Sequence, residues 1–344
     1  MPRCYHRGVL PYLTAELPGT GGVLRASPED FVVDEIPAYA PSGAGDHAFV
    51  RIEKRGLTTA QAIDRIARAL ETSPRDVGYA GMKDRHAITR QWISVMVPPD
   101  RVLALGWDDL RVLEAHRHAH KLRTGHLRGN RFVLRVRDGD PHAPARAAAI
   151  LARLAMPPGA PNWYGEQRFG NDGDNAARGR AIVLGEAPAP RDKRLAKLLV
   201  SALQSELFNT WLAARMRDGL YARALAGDVL HKLGGGLFTC DDADTETARL
   251  VAGELAITGP MFGSRMRAAD RDAGVREAAI LGDLDPSRFP RALGEGTRRD
   301  ATIVVGEPSV IAIAEGEPER GIEVAFTLPS GAYATAVMRE VMKC

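Results

Sequence analysis

Cysteine, lysine and long apolar runs are all scarce in this 344-residue chain. The three cysteines, Cys4, Cys240 and Cys344, are odd in number, far apart and without a CxxC pair. They suit neither a disulfide framework nor a cysteine zinc site, so a reducing compartment is expected. The stretch MPRCYHRGVLPYLTAELPG lacks the apolar run of a signal peptide, and no segment reaches the length of a membrane span. A cytoplasmic protein with no membrane partner is therefore expected. Nor does the chain carry GxxxxGK[ST], GxGxxG after a strand, HExxH or GxSxG. Nucleotide-driven and serine-hydrolase chemistry are left without support, and the GGG at 234–236 reads as a turn.

Positive charge is plentiful but one-sided in kind. Only seven of the 46 basic residues are lysine, and the other 39 are arginine. Planar guanidinium groups suit phosphate and base-edge recognition, although a base-compositional bias toward Ala, Gly, Pro and Arg would raise arginine too. The densest stretch is AHRHAHKLRTGHLRGNRFVLRVR, residues 115–137, with seven Lys or Arg, four His and no acid. Such a strip concentrates phosphates and makes binding salt-sensitive. His116, His118 and His120 alternate and would share one face of a strand, as metal ligands do. Arg117 and Lys121 beside them repel a cation, so no metal is expected. Phe132, between arginines, could stack a base or simply face a core; the spacing allows both.

Periodicity outlines the architecture. ASPEDFVVDE turns at Ser27-Pro28 and becomes a strand through Phe31, Val32 and Val33. TTAQAIDRIARAL spaces Ile63, Ile66, Ala67 and Leu70 as a helix behind a threonine cap. DVGYAG, QWISVMV and RFVLRVR read as strands, and a helix spans roughly Pro144 to Leu154. The Pro- and Gly-rich AMPPGAPNWYGEQRFG marks a boundary. A long helix follows, with Leu195, Leu198, Leu199, Ala202 and Leu203 on one face and a stop at Gly219. Loops heavy in Gly and charge run to about 300, then strands return in ATIVV, SVIAIAEG and GIEVAFTL. The tail PSGAYATAVMREVM caps at Ser330 and runs as a short helix. Strands, then helices, then strands describe an α/β (α+β) domain split by an insertion.

Between two of these strands, VGYAGMKDRHAITRQWISV sets Asp84 among Lys83, Arg85, His86 and Arg90. A salt-bridged surface turn would explain it; so would a functional carboxylate, whose charged form neighbouring cations favour. The segment GYAGMKDRHAITRQW resembles the signature of the TruD family of tRNA pseudouridine synthases. ASPEDFVVDE, LRGNRF, NWYGEQRFG, SALQSELFN and FTLPSGAYAT are similar to further family segments, in the family's order.

The resemblance implies isomerisation of uridine to pseudouridine in tRNA, at position 13, on a flipped-out base. It implies a pseudouridine-synthase catalytic domain with a mixed, mostly antiparallel sheet, in residues 1–157 and 301–344, split by an α/β TRUD domain over 158–300. It places the catalytic aspartate, nucleophile or base, on Asp84, with Arg25 as the active-site cation where relatives often carry lysine. The base-stacking aromatic falls on Phe132 and a site asparagine on Asn130. Apart from the resemblance, Lys83 and, from the basic strip, Arg123 and Arg128 are expected as further RNA contacts. No cofactor and a monomeric state are expected. The competing class is a non-catalytic RNA-binding protein or RNA chaperone; a metal-dependent nuclease would rest on the histidine triplet alone.

Overall fold

The computed structural model describes residues 10–313 and 321–344. Two compact units divide the chain. One gathers Pro18–Ala152, Val305–Gly331 and Val341–Cys344; the other gathers the described residues up to Leu17, Arg153–Val304 and Ala332–Glu340.

The first stretch builds β1 (Val23–Leu24), β2 (Phe31–Pro37), β3 (His47–Arg55), α1 (Thr59–Ala69), β4 (Gly78–Tyr79) and β5 (Ile88–Val95). It continues through α2 (Pro99–Leu103), β6 (Gly106–Trp107), β7 (Leu110–His118), β8 (Leu127–Arg137) and α3 (Ala143–Ala155). The middle stretch supplies β9 (Ala160–Pro161), α4 (Asn175–Leu184), α5 (Lys193–Arg217), β10 (Val229–Lys232), β11 (Leu237–Thr239) and α6 (Ala243–Val251). After these come β12 (Leu255–Met261), α7 (Arg271–Leu281), α8 (Arg291–Gly294), β13 (Thr297–Asp300) and β14 (Thr302–Ile303). The chain finishes with β15 (Gly306–Ile313), β16 (Gly321–Pro329) and α9 (Ala334–Met342).

In the unit that begins at Pro18, a ten-stranded sheet runs β15-β16-β8-β2-β5-β3-β7-β6, with β1 beside β8 and β4 beside β5. Among the described residues only β2 and β5 pair in parallel, so the sheet is mixed and mostly antiparallel, as expected. Both β3 and α1 lie in the connection from β2 to its parallel neighbour β5, and parallel strands need such a long crossover. Thr58 caps α1, accepting the Gln61 N–H at 3.2 Å while the Gln61 side chain returns to Thr58 N–H at 2.9 Å. Its stripe of Ala62, Ile63, Ile66, Ala67 and Leu70 packs with Val50, Ile52 and Ile93 of the sheet in one core. The strand expected at Phe31 is preceded by a single helical turn, Pro28–Asp30, and Asp30 accepts both Ser27 N–H and the Arg137 guanidinium.

The other unit holds a four-stranded sheet, β11-β10-β12-β13, and the pair β14-β9. Here the expectation of loops from Gly219 to about 300 fails. β12 reads LAITGPM and is buried at all seven positions, so it shows no alternation, and its Gly and Pro look like punctuation. Gly259 is needed there because a Cβ would come within 2.5–2.7 Å of the Trp211 and Phe208 rings. The long helix forms as expected, with Leu199, Ala202 and Leu203 buried as predicted; the buried stripe also takes in Ala196, Val200 and Leu207, while Leu198 is 39% exposed. α9 begins at Ala334 rather than just after Ser330, whose N–H instead bonds the Arg128 carbonyl. The last residues of the strand expected in SVIAIAEG, 314–316, lie outside the described residues.

Two buried ion pairs hold this unit's interior. Arg215 binds Asp228 through both guanidinium nitrogens at 2.9 and 2.6 Å. Arg298 binds Glu277 at 3.0 and 2.7 Å and also reaches the Thr258 hydroxyl at 3.0 Å. Removing one partner of such a pair leaves an uncompensated charge out of water. Glu277→Ala is accordingly expected to cost about 3–5 kcal/mol, read as a lowered chemical-denaturation midpoint, with Glu277→Gln milder.

Candidate active site

Strand register assembles the site face. On β8 the side chains of Asn130, Phe132 and Leu134 share one side, since residues two apart in a strand do. β2 sets Glu35 opposite Asn130 and Val33 opposite Phe132, and β16 sets Phe326 opposite Phe132. Phe132 is 6% exposed, edge-on to Phe31 at 6.3 Å and tilted against Phe326 at 5.7 Å. Its ring is therefore part of an aromatic layer, the core-facing one of the two alternatives that spacing left open.

Asp84 lies in the loop between β4 and β5. One carboxylate oxygen pairs with Arg25 at 3.2 Å, and the other accepts the His86 N–H at 3.3 Å in a local turn. Arg25 is held from a second side: its guanidinium sits 4.0 Å over the Phe31 ring. Its backbone is left-handed, φ 64°, a conformation a non-glycine residue keeps only where its surroundings over-determine it. Burial lowers the Arg25 pKa, with the pairing to Asp84 working in the opposite direction. The Arg25 Nε is buried and makes no hydrogen bond among the described residues.

Lys83 turns the other way. Its ammonium pairs with Glu35 at 2.5 Å and donates to Asn130 Oδ1 at 2.9 Å, so the register that sets Glu35 opposite Asn130 also gives Lys83 both partners. Burial raises the Glu35 pKa against the pull of Lys83. Lys54, which the sequence reading did not single out, is fully buried and donates to the Asp84 carbonyl at 2.8 Å and the Leu57 carbonyl at 2.6 Å. Both Glu35 and Lys54 occupy the inward phase of their strands, alternating with exposed or half-buried neighbours; a charge in an apolar phase was the available signal. Phe31 and Phe326 carried no such signal, as inward aromatics are ordinary core residues.

The basic strip divides on folding. Arg137 pairs with Asp30, Arg135 with Glu323 and Arg131 with Glu307, so three of its cations meet carboxylates from elsewhere in the chain. Arg123 and Arg128 remain exposed with no ion pair among the described residues. Of the alternating histidines, His118 and His120 stay in contact, their rings edge-on at 4.5 Å. His116 bonds Glu114 at 2.9 Å, while buried His118 stacks on Tyr39 at 5.3 Å. Among the described residues no group of three or more His, Cys, Asp or Glu is arranged to hold a metal. No helix there is long and apolar enough to cross a membrane.

A crystal structure described as a putative tRNA pseudouridine synthase D (TruD) from Methanosarcina mazei shares this fold. Its TM-score is 0.77 at 25% identity, covering 97% of this chain and 96% of that one. The mixed sheet and its companion unit are therefore those of the pseudouridine-synthase class. Sequence relatives narrow the class. A tRNA pseudouridine synthase D of Anaeromyxobacter dehalogenans is 52% identical over 347 residues, covering 97% of this chain and 96% of the relative. One of Thermus thermophilus is 40% identical over 336 residues, covering 97% and 92%. The family model for tRNA pseudouridine synthase D (TruD) matches residues 8–189 and 186–341, and the chain belongs to that family of tRNA-modifying enzymes.

If the two exposed arginines meet phosphate, Arg123→Ala and Arg128→Ala each lower the slope of log affinity for tRNA against log salt by about one unit. Filter binding over a salt series measures it. An unchanged slope places both side chains away from RNA.

Proposed function

We propose that the chain converts uridine to pseudouridine in tRNA, at position 13, with Asp84 as the catalytic carboxylate on a flipped-out uridine. The observation that carries the reading is the Asp84–Arg25 pair: a carboxylate 28% exposed, held at 3.2 Å by a guanidinium that is itself pinned over Phe31. A carboxylate so held is oriented before substrate arrives, yet still open to it.

The reaction breaks the bond from ribose C1′ to uracil N1, turns the base, and rejoins it through C5 with loss of the C5 proton. Atoms and oxidation state are conserved, so the chemistry calls for no nucleotide, redox group or metal. Asp84 acts as nucleophile at C1′ or as base at C2′; either role needs a charged, fixed carboxylate. Arg25 offers that charge a partner. Lifting uridine from its stack costs a few kcal/mol. Phe132, backed by Phe31 and Phe326, would floor the pocket for the freed base, and Lys83 and Asn130 would supply polar groups beside it. Arg123 and Arg128 would meet flanking phosphates. In this reading the chemistry belongs to residues 1–157 and 301–344, the TRUD insertion spans 158–300, and the enzyme is a cytoplasmic monomer acting on tRNA.

Asp84→Asn keeps the shape and removes the charge. It is expected to bind unmodified tRNA at least as well as the parent in a gel shift, yet to release no tritium from uridine labelled at C5. Tritium release at the parent rate would remove Asp84 from the mechanism. A parent protein that releases none from any unmodified tRNA would be a binder rather than a synthase.

A further inference from the structure

Three successive residues of the Asp84 loop are fastened to the segment that leads from β3 into α1. Lys83 N–H donates to the Thr59 hydroxyl at 2.9 Å, and Arg85 Nε donates to the Gly56 carbonyl at 3.2 Å. Between them, the Asp84 carbonyl accepts from Lys54 Nζ at 2.8 Å, and the same ammonium holds the Leu57 carbonyl at 2.6 Å. Lys54 is one of the largest fully buried side chains of the protein. It sits on β3 in register with Thr89 of β5, and Thr89 lies in register with Val33 of β2, which faces Phe132. The ammonium thus springs from the rung of the sheet that carries the aromatic layer.

A buried cation whose hydrogen bonds, among the described residues, go to neutral carbonyls is an expensive way to join two loops. An apolar side chain would fill the space without desolvating a charge, and a neutral donor would bond the carbonyls without one. What the ammonium adds is a positive charge on the backbone of the very residue whose carboxylate Arg25 holds. We propose that Lys54 is a positioning residue for the isomerisation: bonded to the main-chain carbonyl of Asp84, its ammonium fixes the backbone from which the carboxylate projects. This rests on the reading of Asp84 as the catalytic group.

The charged groups facing the ammonium are Asp84, which attracts it, and Lys83, which repels it. Across the flanking strands it meets Thr89 and Leu110, both uncharged, while Glu53 and Arg55 alternate to the other face and pair with Arg90 and Glu29. Desolvation dominates and brings the Lys54 pKa down to about 8. Below that pH the charged clamp is closed; above it the ammonium loses its proton and the clamp weakens. The fold itself does not suffer. A lysine whose pKa is lowered from 10.5 to about 8 by folding leaves the unfolded chain binding more protons, so the folded state gains between those values.

The test compares single-turnover tritium release by the parent and Lys54→Met from pH 6.5 to 9.5, with tRNA affinity measured alongside. At neutral pH the Met variant is expected to be about 10- to 100-fold slower with affinity within about twofold, the cost of a misplaced catalytic group. The ratio of parent to variant rate is expected to shrink severalfold as pH passes about 8, since the parent then loses the same charge. Taking the ratio cancels titration of the uridine. A Met variant at the parent rate overturns the proposal. So does a ratio constant across the pH range, or a loss confined to affinity. If Lys54→Met does not fold, Lys54→Gln, which keeps a donor without the charge, takes its place. Failure of both to fold assigns Lys54 to stability alone and also overturns the proposal. Asp84→Asn is run in parallel: its activity sinks the catalytic reading, whereas an inactive Asp84→Asn beside a fully active Lys54→Met sinks only the positioning role.

Discussion

β2 runs antiparallel to β8 on one side and parallel to β5 on the other, and the site depends on that double pairing. The antiparallel register sets Glu35 opposite Asn130 and Val33 opposite Phe132. The parallel register brings Ile88, Thr89 and Arg90 alongside, so the chain that leaves the Asp84 loop enters the sheet next to the aromatic layer. A slip of one residue in either pairing would turn every side chain of β2 to the other face. Glu35 would leave Lys83, and Phe31 would leave both Phe132 and Arg25.

Around this register the unit alternates charges in partly dry surroundings. Arg25 meets Asp84, Lys83 meets Glu35, and Lys54 meets two carbonyls. None of these groups is stabilised simply by being buried; each is tolerated because a partner of suitable geometry waits for it. Arg25 and Lys54 both have lowered pKa values, with desolvation as the first cause. Their positive charge is held at a cost, and that cost falls where the proposed chemistry needs a fixed carboxylate. The arginines away from the site are spent differently. Arg131, Arg135 and Arg137 pair with carboxylates on their own sheet or at its edge, which leaves Arg117, Arg123 and Arg128 as exposed arginines without an ion pair among the described residues, in a strip that looked uniformly free in the primary structure.

Much was readable from local pattern. The helix at 59–69 announced itself by a capped, 3.6-residue spacing, and β16 by the alternation of Val324, Phe326 and Leu328. Six motif segments in order were enough to indicate the family, and the mixed sheet agreed with that indication. Asp84 stood out because it was one acid among four basic neighbours. Other features were hidden for physical reasons. β12 is buried on both faces, which erases the period of two on which strand recognition relies. The stripe of α5 was misjudged at Leu198 because an abundance of leucine on several sides does not say which side meets a neighbour.

The sequence by itself determined the local elements, the surplus of guanidinium charge and the identity of the acid at residue 84, because these depend on neighbours within a few positions. The partners of that acid were decided by tertiary structure. Arg25 reaches Asp84 from before β2, Lys54 reaches its carbonyl from β3, and Phe326 joins Phe132 from the far end of the chain. No spacing along the chain encodes those meetings. They follow from which strands pair and in what register, and that is settled only when the whole hydrophobic face of the sheet is buried at once.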